Sequence, residues 1–260
     1  MTKKPLILVT NDDGIMAPGI RALVEVMKEF GEVAIIAPDK PQSGMGHAIT
    51  INSTLRISKT GFYGVRHEYT CSGTPVDCVK FAVNKILHRK PDLCVSGINH
   101  GSNASISVIY SGTMSAAVEC AIEQIPSVGF SLCNHSIDAD FSASQAIVRT
   151  VVSTLLVNQI PLWSCLNVNI PPLHIDEIKG IRICRQSKAN WIEELEERKD
   201  PSGNNYYWLT GRFQNFEEGN KETDSWALDK GYVSVVPVQF DMTAHAAIPI
   251  LSKWNFDLKK

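Results

Sequence analysis

The chain of 260 residues is long enough to bury a substantial core, and 44% hydrophobic against 20% charged residues is the composition of a globular protein, not a disordered one. With 25 Lys and Arg against 27 Asp and Glu the formal net charge is -2, and no stretch gathers the basic residues into a stripe, which argues against bulk nucleic acid or an anionic membrane as partner. The longest apolar runs are strand-sized, far short of the roughly 20 residues that span a bilayer, and Asn11-Asp12-Asp13 interrupts any leader core, so the sequence reads as cytoplasmic.

Leu6 to Val9 followed by Thr10 is a continuous apolar run bounded by Pro5 and Asn11-Asp12-Asp13-Gly14, the pattern of a central parallel strand buried on both faces. Ile20, Leu23, Val24 and Met27 recur at helical spacing from Pro18 to Phe30, Gly31 stops the helix, and Val33 to Ala37 resumes a strand. The alternation continues with a helix through Val76 to Ile86, a strand Asp92 to Ser96, a helix Ala116 to Ile125, a strand Val128 to Leu132, a helix Ile147 to Val157 and a strand Cys165 to Asn169. Such regular alternation predicts an α/β fold with a doubly wound, mainly parallel, Rossmann-like sheet over residues 1–170. Beyond Pro171-Pro172 the pattern turns to strands at Ile181 to Arg185, Tyr206 to Thr210 and Tyr232 to Val238, with a short helix near Thr243 to Leu251. Residues 171–260 are therefore expected to form a mainly β extension with a hairpin, used in oligomerisation and not an independent domain. The seven cysteines (71, 78, 94, 120, 133, 165, 184) are scattered without C-x-x-C spacing and read as small reduced hydrophobes, not zinc ligands.

In an open α/β sheet ligands bind beyond the carboxyl ends of the strands, so the loops there carry the chemistry. Asp12 and Asp13 are adjacent carboxylates that repel unless a cation lies beside them, and Gly14 lets a loop turn both inward; a turn or helix-cap pair is the plainer reading of the same letters. Together with the Ser43 hydroxyl and the Asn99 amide oxygen they make an all-oxygen set suited to Mg²⁺ or Mn²⁺. Ser43-Gly44 and Ser111-Gly112-Thr113 place small hydroxyls and open backbone N–H groups at loop-to-helix junctions, an arrangement that suits phosphate as well as helix capping. His100 could donate to a phosphoryl oxygen; His47, just past the Ser43-Gly44 loop, is a weaker candidate.

Familiar alternatives fail on particular letters. Gly14-x4-Gly19 is followed by Ile20-Arg21 where a P-loop needs Lys and Ser or Thr, and Gly44-Met45-Gly46 lacks the third glycine of a dinucleotide fingerprint. Asn11 stands where a haloacid-dehalogenase-type phosphatase would need its nucleophilic Asp, and there is no G-x-S-x-G or H-E-x-x-H.

Leu8-Val9-Thr10-Asn11-Asp12-Asp13-Gly14 with Ala17-Pro18-Gly19, then Ala37-Pro38 and Gln42-Ser43-Gly44, resembles the SurE family of 5'-nucleotidases. So do Ser96-Gly97-Ile98-Asn99 with Gly101 and Asn103, and Tyr110-Ser111-Gly112-Thr113 with Ala116-Ala117 and Glu119. Cys71 to Pro75 with Asp77, Asn167-Val168-Asn169 with Pro171, and Asp224 through Gly231 to Ser234 extend the resemblance over nearly the whole chain. It implies a phosphatase acting on nucleoside 5'-monophosphates, with 3'-monophosphates and short polyphosphate as further substrates. One divalent ion per subunit, Mg²⁺ or Mn²⁺, would be held by the residues matching Asp12, Asp13, Ser43 and Asn99. Asp12, Asp13 and Asn99 are the expected catalytic residues, one of the carboxylates taking the proton of the attacking water. Asn11, Gly44, His100, Ser111, Gly112 and Thr113 are the expected phosphate and substrate contacts. The resemblance also implies a homodimer or homotetramer with exchange of the C-terminal part. Met45-Gly46-His47-Ala48 departs from the family's usual Ala-Ser-Asn-Ser segment and bears on substrate preference. A nucleotide-binding regulatory module without turnover is the competing reading.

Overall fold

The computed structural model describes residues 4–192 and 195–256. Its strands, in chain order, are β1 (Leu6–Thr10), β2 (Glu32–Pro38), β3 (Ile57–Lys59), β4 (His67–Cys71), β5 (Leu93–His100), β6 (Ser127–Leu132), β7 (Ser164–Ile170), β8 (Ile181–Ile183), β9 (Ala189–Ile192), β10 (Leu195–Lys199), β11 (Asn205–Leu209), β12 (Arg212–Asn215) and β13 (Val233–Gln239). The helices are α1 (Pro18–Phe30), α2 (Pro75–Phe81), α3 (Gly112–Ile122), α4 (Ser142–Val157), α5 (Asp224–Asp229) and the single turn α6 (Ile248–Leu251).

Successive residues of a strand point to opposite faces, and in β1 both faces are covered. Ile7 and Val9 join Leu23, Met27, Val148 and Val152 of α1 and α4, while Leu6 and Leu8 join Cys78, Val79, Ala116 and Cys120 of α2 and α3. That double burial is the physical reason for an unbroken apolar run.

Nine strands form one sheet in the order β3-β4-β2-β1-β5-β6-β7-β13-β8. Strands β4, β2, β1, β5, β6 and β7 are parallel to their neighbours. From β1 the chain builds outward through β2 and β4 on one side, then returns to build β5, β6 and β7 on the other. The switch point lies between the carboxyl ends of β1 and β5, where such sheets open a crevice for ligands. Helix α4 is the exception to the winding: it connects β6 to β7 in the same direction as α3 connects β5 to β6, yet packs on the opposite face, with α1. The two crossings therefore have opposite hands, and α3 shares its hand with the crossings through α1 and α2, so the α4 crossing is the left-handed one. It brings the β6–α4 loop over the end of β5, where Phe141 packs edge-on against His100 with ring centroids 5.1 Å apart.

Several sequence expectations are corrected here. The strand expected to end at Ser96 runs on to His100: after a register shift between Ser96 and Asn99 it pairs again, Asn99 with Ser131 and His100 with Leu132. The helix expected to reach Ile86 keeps α-helical bonding only to Phe81, then widens into a turn closed by Leu87 N–H to the Ala82 carbonyl (2.9 Å). Helix α4 starts at Ser142, and the short pair β3 and β4 was not foreseen, because neither segment shows a continuous apolar run. Ile181 to Arg185 shortens to β8, and the helix near Thr243 to Leu251 is two successive single turns, His245–Ala247 and Ile248–Leu251.

Residues 171–260 divide in two. Strands β13 and β8 complete the main sheet, β13 antiparallel to β7 from Ser234–Asn169 to Gln239–Ser164. The ribbons β10–β11 and β9–β12 stand outside it, and every residue of β10 and β11 is exposed.

Candidate active site

The end of β1 delivers Asn11, Asp12 and Asp13 to the switch point, and the end of β5 delivers Asn99 and His100 beside them. Asn11 turns the chain by donating Nδ2–H to the Gly14 carbonyl (2.9 Å), leaving its Oδ1 buried without a partner. Asp12 is buried at 3% exposure, whereas Asp13 is half-buried and accepts from the His100 backbone N–H (3.2 Å) with His100 Nδ1 at 3.3 Å. Helix α3 approaches from the opposite side. Thr113, fully buried, donates its hydroxyl to Asp12 Oδ1, and its backbone N–H also bonds the Asp12 carboxylate. The amino terminus of α3 thus already faces a negative group, as the helix dipole favours. Gly112 permits this: a Cβ on it would lie 2.7 Å from Asp12 Cβ and 3.0 Å from Oδ2.

Burial raises the Asp12 carboxyl from 3.8 to about 6; the Thr113 hydrogen bond opposes that rise and the Asp13 charge adds to it. A pair of carboxylates so placed is one that a cation would relieve. Asn99 donates Nδ2–H to the Gly101 carbonyl (2.8 Å), which orients the amide and leaves Oδ1 as its open donor atom. Among the described residues no three of His, Cys, Asp or Glu converge, so any ion here must complete its shell with amide or hydroxyl oxygens. Two carboxylates, an amide oxygen and the unpartnered Asn11 Oδ1 fit a hard divalent cation.

The sequence-predicted residues are not all placed alike. Ser43 and Gly44 are exposed, tied to the site through the backbone by Gln42 N–H to the Asp12 carbonyl (2.7 Å). The expected cradle of hydroxyls needs correction: Ser111 caps α3 by accepting from Met114 N–H (3.0 Å), and Thr113 is engaged with Asp12, so neither is free for phosphate. Gly112 and Gly44 keep that potential through their backbones. His100 retains a buried, unpartnered Nε2. His47 points elsewhere, its Nε2 2.9 Å from the nearly buried Glu119, which also accepts from Lys80. Burial opposes ionisation of Glu119, but these two contacts outweigh it and hold its carboxyl below the usual range.

Other motif letters belong to the scaffold. Asn103 N–H donates to Asn169 Oδ1, Asn103 Nδ2 to Ser131, Asn167 Nδ2 to the Asn103 carbonyl and Asn169 Nδ2 to Asn167 Oδ1, each at 2.8 Å. This buried amide ladder fixes the turn after β5 against β6 and β7. Asp77 closes a capping box with Thr74 at the start of α2. Asp224 receives the Ser105 N–H (2.7 Å) and the Ser187 N–H (3.0 Å), anchoring the segment before α3. Only the repeated Asn-x-Asn spacing hinted at the ladder.

The family described as Survival protein SurE matches residues 7–193. The chain is 62% identical to the 5'-nucleotidase SurE of Christiangramia forsetii, covering 98% of both chains. It is 59% identical to that of Flavobacterium psychrophilum, covering 98% of this chain and 99% of the relative. Among solved structures, the SurE protein from Aquifex aeolicus superposes with a TM-score of 0.83 at 38% identity, over 95% of this chain and 98% of that one.

Proposed function

The chain belongs to the SurE family and is a 5'-nucleotidase, and from that premise we propose that it hydrolyses nucleoside 5'-monophosphates at one divalent cation, Mg²⁺ or Mn²⁺, per subunit. The observation that supports this most is the buried Asp12 carboxylate, locked by Thr113 at the head of α3 and set beside Asp13 and Asn99 at the switch point. Asp12, Asp13 and Asn99 would hold the ion, with Ser43 joining as its loop settles. When bound, the cation supplies Lewis-acid polarisation of a phosphoryl oxygen. Thr113 fixes the rotamer of Asp12, and the turn at Asn11–Gly14 sets the direction of Asp13. His100, held by Asp13 at Nδ1, offers Nε2 to a phosphoryl oxygen, while the Gly112 and Gly44 N–H groups contact the others. Asp13, the more open of the carboxylates, takes the proton of the attacking water. The same site would accept 3'-monophosphates and the end of short polyphosphate, since it grips only the phosphoryl group. The exposed apolar ribbons support a homodimer or homotetramer, and the seven free thiols suit a reducing, cytoplasmic setting.

Phosphate release from adenosine 5'-monophosphate tests the proposal. Activity is expected with Mg²⁺ or Mn²⁺, lost in excess EDTA and restored by either metal. Undiminished activity in EDTA would overturn the metal role, and nucleotide binding without release would make the protein a binding module.

A further inference from the structure

A second cavity, of 640 Å³, opens beside the site, within the size range of small-molecule pockets. Its walls come from the segments that hold the catalytic end. Asn99 Nδ2 donates to the Gly101 carbonyl, and the next residue, Ser102, lines the cavity. His135 also lines it, and stands so close to Gly101 that a Cβ there would lie 2.2 Å from its Cε1. The loop carrying His135 ends at Phe141, the residue packed on His100.

The facing wall is the β9–β12 ribbon. Trp191 and Phe213 lie opposite each other in its register, edge to face at 5.8 Å, and are 37% and 41% exposed. The third aromatic of the cavity, Trp226, is stacked on Tyr232 with the Arg182 guanidinium over it, so Trp191 and Phe213 are the rings left to receive another. From Asn99 to Ser102 is three residues, at most about 11 Å of extended chain. A phosphate held at Asp12 and Asn99 therefore leaves the rest of a nucleotide within reach of these rings.

The geometry points to this cavity as the nucleoside subsite: the base stacks on Trp191 and Phe213, with His135 at its edge, an inference that rests on the nucleotidase reading. Stacking accepts any base, because every base has a π-face, so discrimination among bases is weak.

Full-length wild type, Trp191→Ala and Phe213→Ala are compared on adenosine 5'-monophosphate and on ribose 5-phosphate, which keeps the sugar and phosphate but has no base. Binding of free adenosine is measured by calorimetry and mass by light scattering. Each variant should raise KM for the nucleotide by about tenfold with kcat unchanged, a loss within the worth of one base–aromatic stack. Ribose 5-phosphate kinetics should not move, and adenosine should bind wild type but not Trp191→Ala. Unchanged KM for the nucleotide, equal losses on both substrates, or wild type that does not bind adenosine would overturn the subsite. Equal losses with a lower mass would assign these rings to a subunit contact instead. If wild type released phosphate from neither substrate, the nucleotidase reading would fail, and adenosine binding and its loss in Trp191→Ala would still decide the cavity.

Discussion

At the carboxyl end of the sheet, polar groups are buried; in the C-terminal ribbons, apolar groups are exposed. Asp12, Asn103 and Asn169 lie under 10% exposed, and nearly every hydrogen-bonding atom they own has a partner among their neighbours. Leu195 and Leu209 face each other across β10–β11 at 68% and 76% exposure, with Tyr207 and Trp208 alongside at 54% and 56%. Burying a polar group costs stability unless its bonds are remade, so the first region is arranged within the chain itself. An isolated two-stranded ribbon is marginal in water, so the second is arranged for something outside it. One region carries its complement inside the fold and the other meets it at a surface.

Three changes probe that contrast. The largest effect is expected at the site: Asp12→Asn and Asp13→Asn should each lower kcat by at least about 100-fold, as losing a preorganised electrostatic contact does, with the unfolding transition retained. Phosphate-release kinetics measure the first, circular dichroism the second; near-wild-type rates in both variants would remove the carboxylate pair from the mechanism. Next comes the amide ladder. Asn169→Ala strips the partners of the Asn103 N–H and the Asn167 Oδ1 in a buried setting, and should cost about 3 kcal/mol in urea unfolding, from about 1–3 kcal/mol per orphaned group. A loss under about 1 kcal/mol would mean that the ladder is dispensable. The smallest change in subunit stability is expected from Leu195→Ser with Leu209→Ser, within about 0.5 kcal/mol because both are already exposed. The same pair should lower the assembled mass on light scattering. Wild type that stays monomeric and active at micromolar concentration would contradict the assembly reading of the ribbons.

Much of the core was legible because burial on both faces leaves an unbroken apolar run, as in Leu6–Thr10, and an amphipathic helix leaves its own period, as in Pro18–Phe30. The positions of Asp12, Asp13 and Asn99 followed from the rule that ligands gather beyond the carboxyl ends of parallel strands. Less legible was what each polar letter does there. Ser111 and Thr113 read equally as phosphate ligands or helix caps, since the chemistry of a hydroxyl at a helix start is the same for both. The outcome, one capping α3 and the other holding Asp12, depends on how closely α3 approaches β1.

The sequence by itself determined the α/β class, the central strands and the oxygen-rich loops, because local period and turn chemistry act over a few residues. Tertiary structure decided the rest. It carried β5 on through Asn99 and His100 by pairing them with Ser131 and Leu132, sent α4 to the face of α1, and folded β13 back into the main sheet. It also brought Trp191 and Phe213 to the cavity that Ser102 and His135 share. Each of these joins residues far apart in the chain, and their pairing is set by packing and hydrogen-bond satisfaction across the whole sheet, which no local pattern of letters encodes.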